Sequence, residues 1–144
     1  MIAQDLMLGD WVRIIDPDKY AGAIGKIYSL ASLEGAYFAV NIKDVNYGYL
    51  RTDVFSEDIS PIPLTPEILE KNGFEDIGDD TWQLTDIPYR FWIDFLNHRY
   101  GCEFDTSSYE NEDSENRLYL YGIPDVHELQ HALRLCGIDK EITL

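Results

Sequence analysis

Leu8-Gly9-Asp10-Trp11-Val12-Arg13-Ile14-Ile15, closed at once by Asp16-Pro17-Asp18, sets the architecture of the first half of the chain. β-Branched and aromatic residues crowd the run, and a Pro/Asp cluster ends it, which is the pattern of a strand followed by a turn. Next comes Gly22-Ala23-Ile24-Gly25-Lys26-Ile27-Tyr28, with two glycines ahead of an apolar run, where a tight turn or bulge needs positive φ. Further short strands are predicted at residues 36–42, 47–50 and around 59–62. Five short strands in about sixty residues predict a small closed or nearly closed barrel.

Gly9, Asp10, Val12, Arg13 and Ile14, followed by Gly22, Gly25 and Ile27, resemble the opening of SH3-like barrels of the KOW type. That resemblance implies a barrel over residues 1–63. Relatives of this shape often bind RNA or ribosomal partners, which needs a basic face. Lys19, Lys26, Lys43 and Arg51 supply only a thin one among nine acidic residues, so protein contact is expected before RNA binding.

Pro61 and Pro63 mark a boundary, and residues 64–144 are read as a second, acidic α+β domain. The whole chain is therefore α+β in class. A helix opens with Thr65 as cap and Pro66 in the first helical position, and Leu64 can staple onto Leu69. Asn72-Gly73 ends it. Strands are predicted at residues 82–86 and 89–97, the latter central because it is apolar on both faces. Residues 97–101 read as a turn leading into a strand at 102–105. Glu103 to Glu115 is an acidic polar stretch, and Arg117-Leu118-Tyr119-Leu120-Tyr121 resumes a strand. Gly78-Asp79-Asp80 reads as a turn with solvated acids.

The formal charge is -16, from 27 acidic residues against 11 Lys and Arg over 144 positions. Residues 63–144 carry most of it. General nucleic-acid binding is disfavoured, because displacing phosphate counterions takes cations. Apolar residues at 45% are enough to fold a core. Cys102 and Cys136 make no disulfide framework and read as reduced core thiols. Met1-Ile2-Ala3-Gln4-Asp5 does not have the form of a secretory leader, and no 18-residue apolar run occurs, so a cytoplasmic setting without membrane insertion is expected.

His127-Glu128-Leu129-Gln130-His131 matches the H-E-x-x-H pattern, in which two histidines one helical turn apart bind zinc and the glutamate activates its water. The match predicts Glu128 as catalytic residue and His127 and His131 as ligands, with His98 as an upstream third ligand. Against it, no histidine follows His131. Asp125 is placed to cap the helix, so that Glu128 falls where a capping box wants it. Val126, Leu129, Leu133 and Cys136 share one stripe, leaving His127 and His131 facing away from the core toward water. The expectation is a capped amphipathic helix with surface histidines and no metal or cofactor.

Residues 61–74 and 126–142 resemble small bacterial proteins of prophages and mobile elements of gut anaerobes, a family without an assigned activity. The resemblance implies a bacterial, phage-related setting. The function expected is a non-enzymatic binding or accessory protein with an unidentified protein partner. The alternatives are a zinc-dependent hydrolase using the histidine motif, and an acidic nucleic-acid mimic that blocks a DNA-binding protein.

Overall fold

The computed structural model describes residues 6–16, 20–32, 36–44, 48–87, 90–94, 99–103, 117–123 and 125–144, with the backbone alone for 30–32, 36–44, 48–53, 99–103 and 117–121. The chain divides into two compact units, Met1–Ile62 and Pro63–Leu144.

In the first unit β1 (Trp11–Ile14), β2 (Ile24–Ser32), β3 (Ala36–Asp44), β4 (Gly48–Phe55) and β5 (Ile59–Ser60) form an antiparallel sheet in the order β4-β3-β2-β1-β5. Alternation along β1 buries Val12 and Ile14 with Leu6, Ile27, Val54 and Ile59, and leaves Trp11 and Arg13 on the other face. The Gly9-Asp10 pair has a structural reason. Gly9 takes φ 85°, and the fully buried Asp10 accepts the Met7 N–H at 2.7 Å on Oδ2, tying the turn ahead of β1. Gly22 also needs positive φ, 85°, and its N–H donates to the Ile14 carbonyl at 2.7 Å where the chain turns back toward β2. β4 and β5 end the strand order and are not paired to each other among the described residues. Among the described residues the unit is a five-stranded antiparallel sheet in which no closed barrel is found, since strand count fixes how many strands exist but not whether the end strands meet.

The second unit contains α1 (Pro66–Lys71), β6 (Phe74–Gly78), β7 (Thr81–Leu84), β8 (Arg90–Asp94), β9 (Arg99–Glu103), β10 (Arg117–Tyr121) and α2 (Val126–Leu135). Its strands form an antiparallel meander, β10-β9-β8-β7-β6, so the protein is α+β with β8 in the middle. Phe91 and Ile93 of β8 are buried, as are Trp82 and Leu84 of β7. The turn predicted at 97–101 is corrected in part: Arg99, Tyr100 and Gly101 are strand, paired with Asp94, Ile93 and Trp92. Local composition suggested a turn there, and pairing with β8 overrides it. The acidic stretch from 104 to 116 lies outside the described residues.

The start of α1 and the ends of both helices follow the signals in the sequence. Thr65 accepts the Ile68 N–H at 3.4 Å, and Pro66 opens α1. Gly73 (φ 77°) and Gly137 (φ 70°) follow the two helices. After α2 the Gly137 and Ile138 N–H groups donate to the carbonyls of Arg134 and Leu133 at 3.0 and 2.8 Å, a complete Schellman closure.

Beyond α2 the chain has no regular structure, yet it is anchored. Ile142 is fully buried, and the side chain of the buried Asn72 at the end of α1 makes four hydrogen bonds, three of which hold the segment. Its Nδ2 donates to the carbonyls of Ile68 and Thr143 at 2.7 and 2.8 Å, and its Oδ1 accepts from the N–H and Oγ1 of Thr143 at 2.9 and 3.2 Å. Lys71 donates to the Leu144 carbonyl, and Lys140 pairs with Asp86 at 2.8 Å.

Between Gly78 and Thr81, which are register partners, Asp79 and Asp80 take φ 53° and 55°. Two positive φ values in a two-residue hairpin loop are the signature of a type I′ turn, which favours Asn-Gly. Replacing Asp79-Asp80 by Asn-Gly is expected to raise stability by about 1 kcal/mol, through relief of the left-handed backbone and of adjacent like charges. Urea unfolding measures it, and an unchanged or lower midpoint contradicts the turn assignment.

No helix among the described residues is long and apolar enough to cross a membrane.

Candidate functional site

The histidine motif occupies the first turn and a half of α2. Asp125 stands at the N-cap with extended backbone (φ -129°, ψ 156°), but its side chain makes no capping hydrogen bond. Its backbone forms an isolated antiparallel bridge with Pro63. Burial pushes the Asp125 carboxyl above the ordinary carboxylate range, and the nearby His127 opposes that shift.

The expectation of surface histidines is corrected here. His127 is only 5% exposed, and Val126, Leu129, Gln130, Ala132 and Leu133 are buried with it. His131 is half-buried. A helical wheel assumes water opposite the apolar stripe, and tertiary packing around the first turn of α2 overrides that assumption. Arg134 and Leu135, one turn later, are exposed. The imidazoles of His127 and His131 meet edge to face, with centroids 5.7 Å apart and planes at 90°. The Nδ1 of His127 and one carboxylate oxygen of Glu128 are buried and make no hydrogen bond to a described residue, while both side chains take part in other interactions.

Two imidazoles one turn apart can offer two nitrogen donors, and a zinc site with hydrolytic chemistry needs a third protein ligand. Among the described residues no group of three His, Cys, Asp or Glu side chains is arranged to hold a metal ion. His98, the third ligand suggested by the sequence, lies outside the described residues. Cys136 is a free, buried thiol at the end of α2, as read from the sequence, and Cys102 is described by its backbone only.

The Asp125 carboxyl gives a pH test of this enclosure. A group that holds its proton more tightly folded than unfolded makes stability fall as pH rises from the ordinary carboxylate value through the raised one. Asp125→Asn removes that loss. The variant is expected to be at least as stable as wild type at neutral pH, with a flatter stability profile in mild acid, measured by denaturant unfolding across that range. A variant that loses stability at neutral pH and keeps the wild-type slope contradicts burial as the cause.

The first unit carries further exposed groups. Trp11 of β1 is the register partner of Lys26 on β2, and the Lys26 ammonium lies 4.8 Å from the centroid of the Trp11 ring, a cation–π contact. Beside Lys26, Tyr28 sits where the β2–β3 register slips between Ile27 and Ser29, and it is 60% exposed. The Gly9 N–H donates to the Ile27 carbonyl at 2.8 Å, laying the preceding segment alongside, with Met7 50% and Leu8 56% exposed. The chain matches no protein-family model, no curated protein and no solved structure. Among the described residues, most of the exposed large apolar side chains belong to this first unit, which carries less of the negative charge. Composition hid this patch, because Leu8 and Tyr28 read as ordinary members of β-rich runs until the turn and the bulge set their direction.

Proposed function

We propose that the protein is a non-enzymatic binding protein that docks a protein partner on the surface formed by Met7, Leu8, Trp11, Lys26 and Tyr28. The observations that carry this reading are the exposure of Met7, Leu8 and Tyr28 and the Trp11–Lys26 contact within the same unit. Large apolar side chains gathered at a surface lose free energy to water, and a partner that covers them recovers it. An SH3-like arrangement of the first unit belongs to the same proposal. Its support is the strand order β4-β3-β2-β1-β5, the one 3-10 turn at Ser56–Asp58 between β4 and β5, and the Gly-Asp-x-Val-Arg-Ile opening. In keeping with the resemblance to prophage proteins, the partner is a bacterial or phage protein.

Affinity capture from a bacterial lysate, comparing wild type with the Leu8→Asp, Tyr28→Asp double variant, tests the proposal. Both side chains are exposed, so the variant should keep its circular dichroism spectrum and melting temperature. One protein retained by wild type in stoichiometric amount and lost by the variant is expected. Equal recovery by both overturns the assignment of the surface.

A further inference from the structure

Asn72-Gly73 is the one Asn-Gly pair in the sequence. An asparagine amide followed by glycine is open to attack by the next backbone nitrogen, because glycine has no Cβ to shield it. In the fold the same pair ends α1 and clamps the segment after α2. The Asn72 side chain is only 6% exposed, with Nδ2 donating to the Ile68 and Thr143 carbonyls and Oδ1 accepting from the N–H and Oγ1 of Thr143. The Gly73 N–H is held by the Glu70 carbonyl at 3.0 Å, and ψ of 16° at Asn72 turns the Gly73 nitrogen away from the side chain it would attack. Bond formation needs the reacting atoms close and aligned, so the closed clamp keeps the pair from reacting.

We infer that Asn72 is a modification site gated by its own clamp: when residues 139–144 detach, the pair deamidates, and the product no longer closes the clamp. The Gly73 nitrogen gives up its proton and bonds to Cγ of Asn72, the Cγ–Nδ2 bond breaks, and Nδ2 leaves as ammonia with that proton. A cyclic imide remains, and water opens it. Cleavage of the Cγ–N bond leaves aspartate at 72, and cleavage of the other C–N bond leaves isoaspartate, with the chain routed through Cγ. One water is consumed and one ammonia released, and nothing is oxidised or reduced. In aspartate a carboxylate oxygen stands where Nδ2 donated to two carbonyls at 2.7 and 2.8 Å. Buried acceptors that lose their donor, and a charge placed among them, both cost free energy, so the segment is released. Opening is local, because the chain after Gly137 has no regular structure and depends on Asn72 and the buried Ile142. Loss of ammonia makes the change run one way. This device lies in the second unit and is independent of the partner contact proposed for the first.

Ageing of the full chain at mildly alkaline pH, read by peptide mass spectrometry, tests it. Wild type is expected to convert Asn72 roughly tenfold or more slowly when folded than when unfolded in urea. Ile142→Ala, which loosens the segment without touching the pair, should speed conversion in the folded chain, and by more than Phe91→Ala, whose damage lies in the sheet. Asn72→Asp, the direct product, should raise amide exchange at Thr143 more than in β8. Should Ile142→Ala fail to fold, Thr143→Val, which deletes the hydroxyl bond to Oδ1, takes its place with the same direction expected. Equal rates for folded and unfolded wild type, no conversion in urea, a greater effect of Phe91→Ala than of the clamp variant, or unchanged exchange at Thr143 in Asn72→Asp would each overturn the inference.

Discussion

Replacing Asn72 by Ala is expected to cost about 3 kcal/mol of folding stability, far more than its place at the end of a six-residue helix suggests. A buried hydrogen bond contributes on the order of 1 kcal/mol net, and the Asn72 side chain makes four. Truncation also strands the N–H and carbonyl of Thr143 beside a hole. The loss should be local first. Amide exchange at Thr143 is expected to accelerate more than exchange in β8, because the segment after α2 is irregular and depends on this clamp and on Ile142. Urea unfolding gives the total, and a loss below about 1 kcal/mol would mean that Ile142 alone holds the segment.

Phe91→Ala is expected to be worse still, at about 4 kcal/mol. Phe91 is fully buried on the middle strand of the second sheet, and its ring meets that of Phe74 edge to face with centroids 6.2 Å apart. Removing it forfeits the transfer of a large ring from water and leaves a cavity between strands paired on both sides, where collapse is hindered. Phe91→Leu, which keeps most of the volume, should cost less than half as much. Equal costs for the two variants would indicate that the ring contact with Phe74, and not volume, is what counts.

Local signals in the sequence were reliable where a single residue carries the geometry. Gly22 and Gly137 take the positive φ that their contexts asked for, and Thr65 and Pro66 open α1 as read. The middle position of β8 followed from apolar residues on both its faces. What escaped depends on partners far along the chain. β6, polar at Glu75 and Asp76, gave no strand signal in the sequence, yet it is a strand because β7 pairs with it. Asn72 signalled only a helix stop, since Thr143 lies 71 residues away. His127 looked exposed because the stripe of α2 was legible and the packing around its first turn was not. The exposure of Leu8 and Tyr28 escaped for a like reason, as the Gly9–Ile27 hydrogen bond joins segments distant in sequence.

Burial of His127 also bears on the choice between binding and hydrolysis. An imidazole buried in the first turn of α2 is packed as a core group is, whereas Leu8 and Tyr28 are 56% and 60% exposed. The contact surface of the first unit is therefore the feature on which the functional reading stands. A photo-reactive amino acid placed at position 28 in the full chain, with position 77 on β6 as the exposed control, tests that surface most directly. Irradiation in a bacterial lysate is expected to give one discrete adduct from position 28, suppressed by Leu8→Asp, and none of the same mass from position 77. Matching adducts from both positions, or none from position 28, would contradict it.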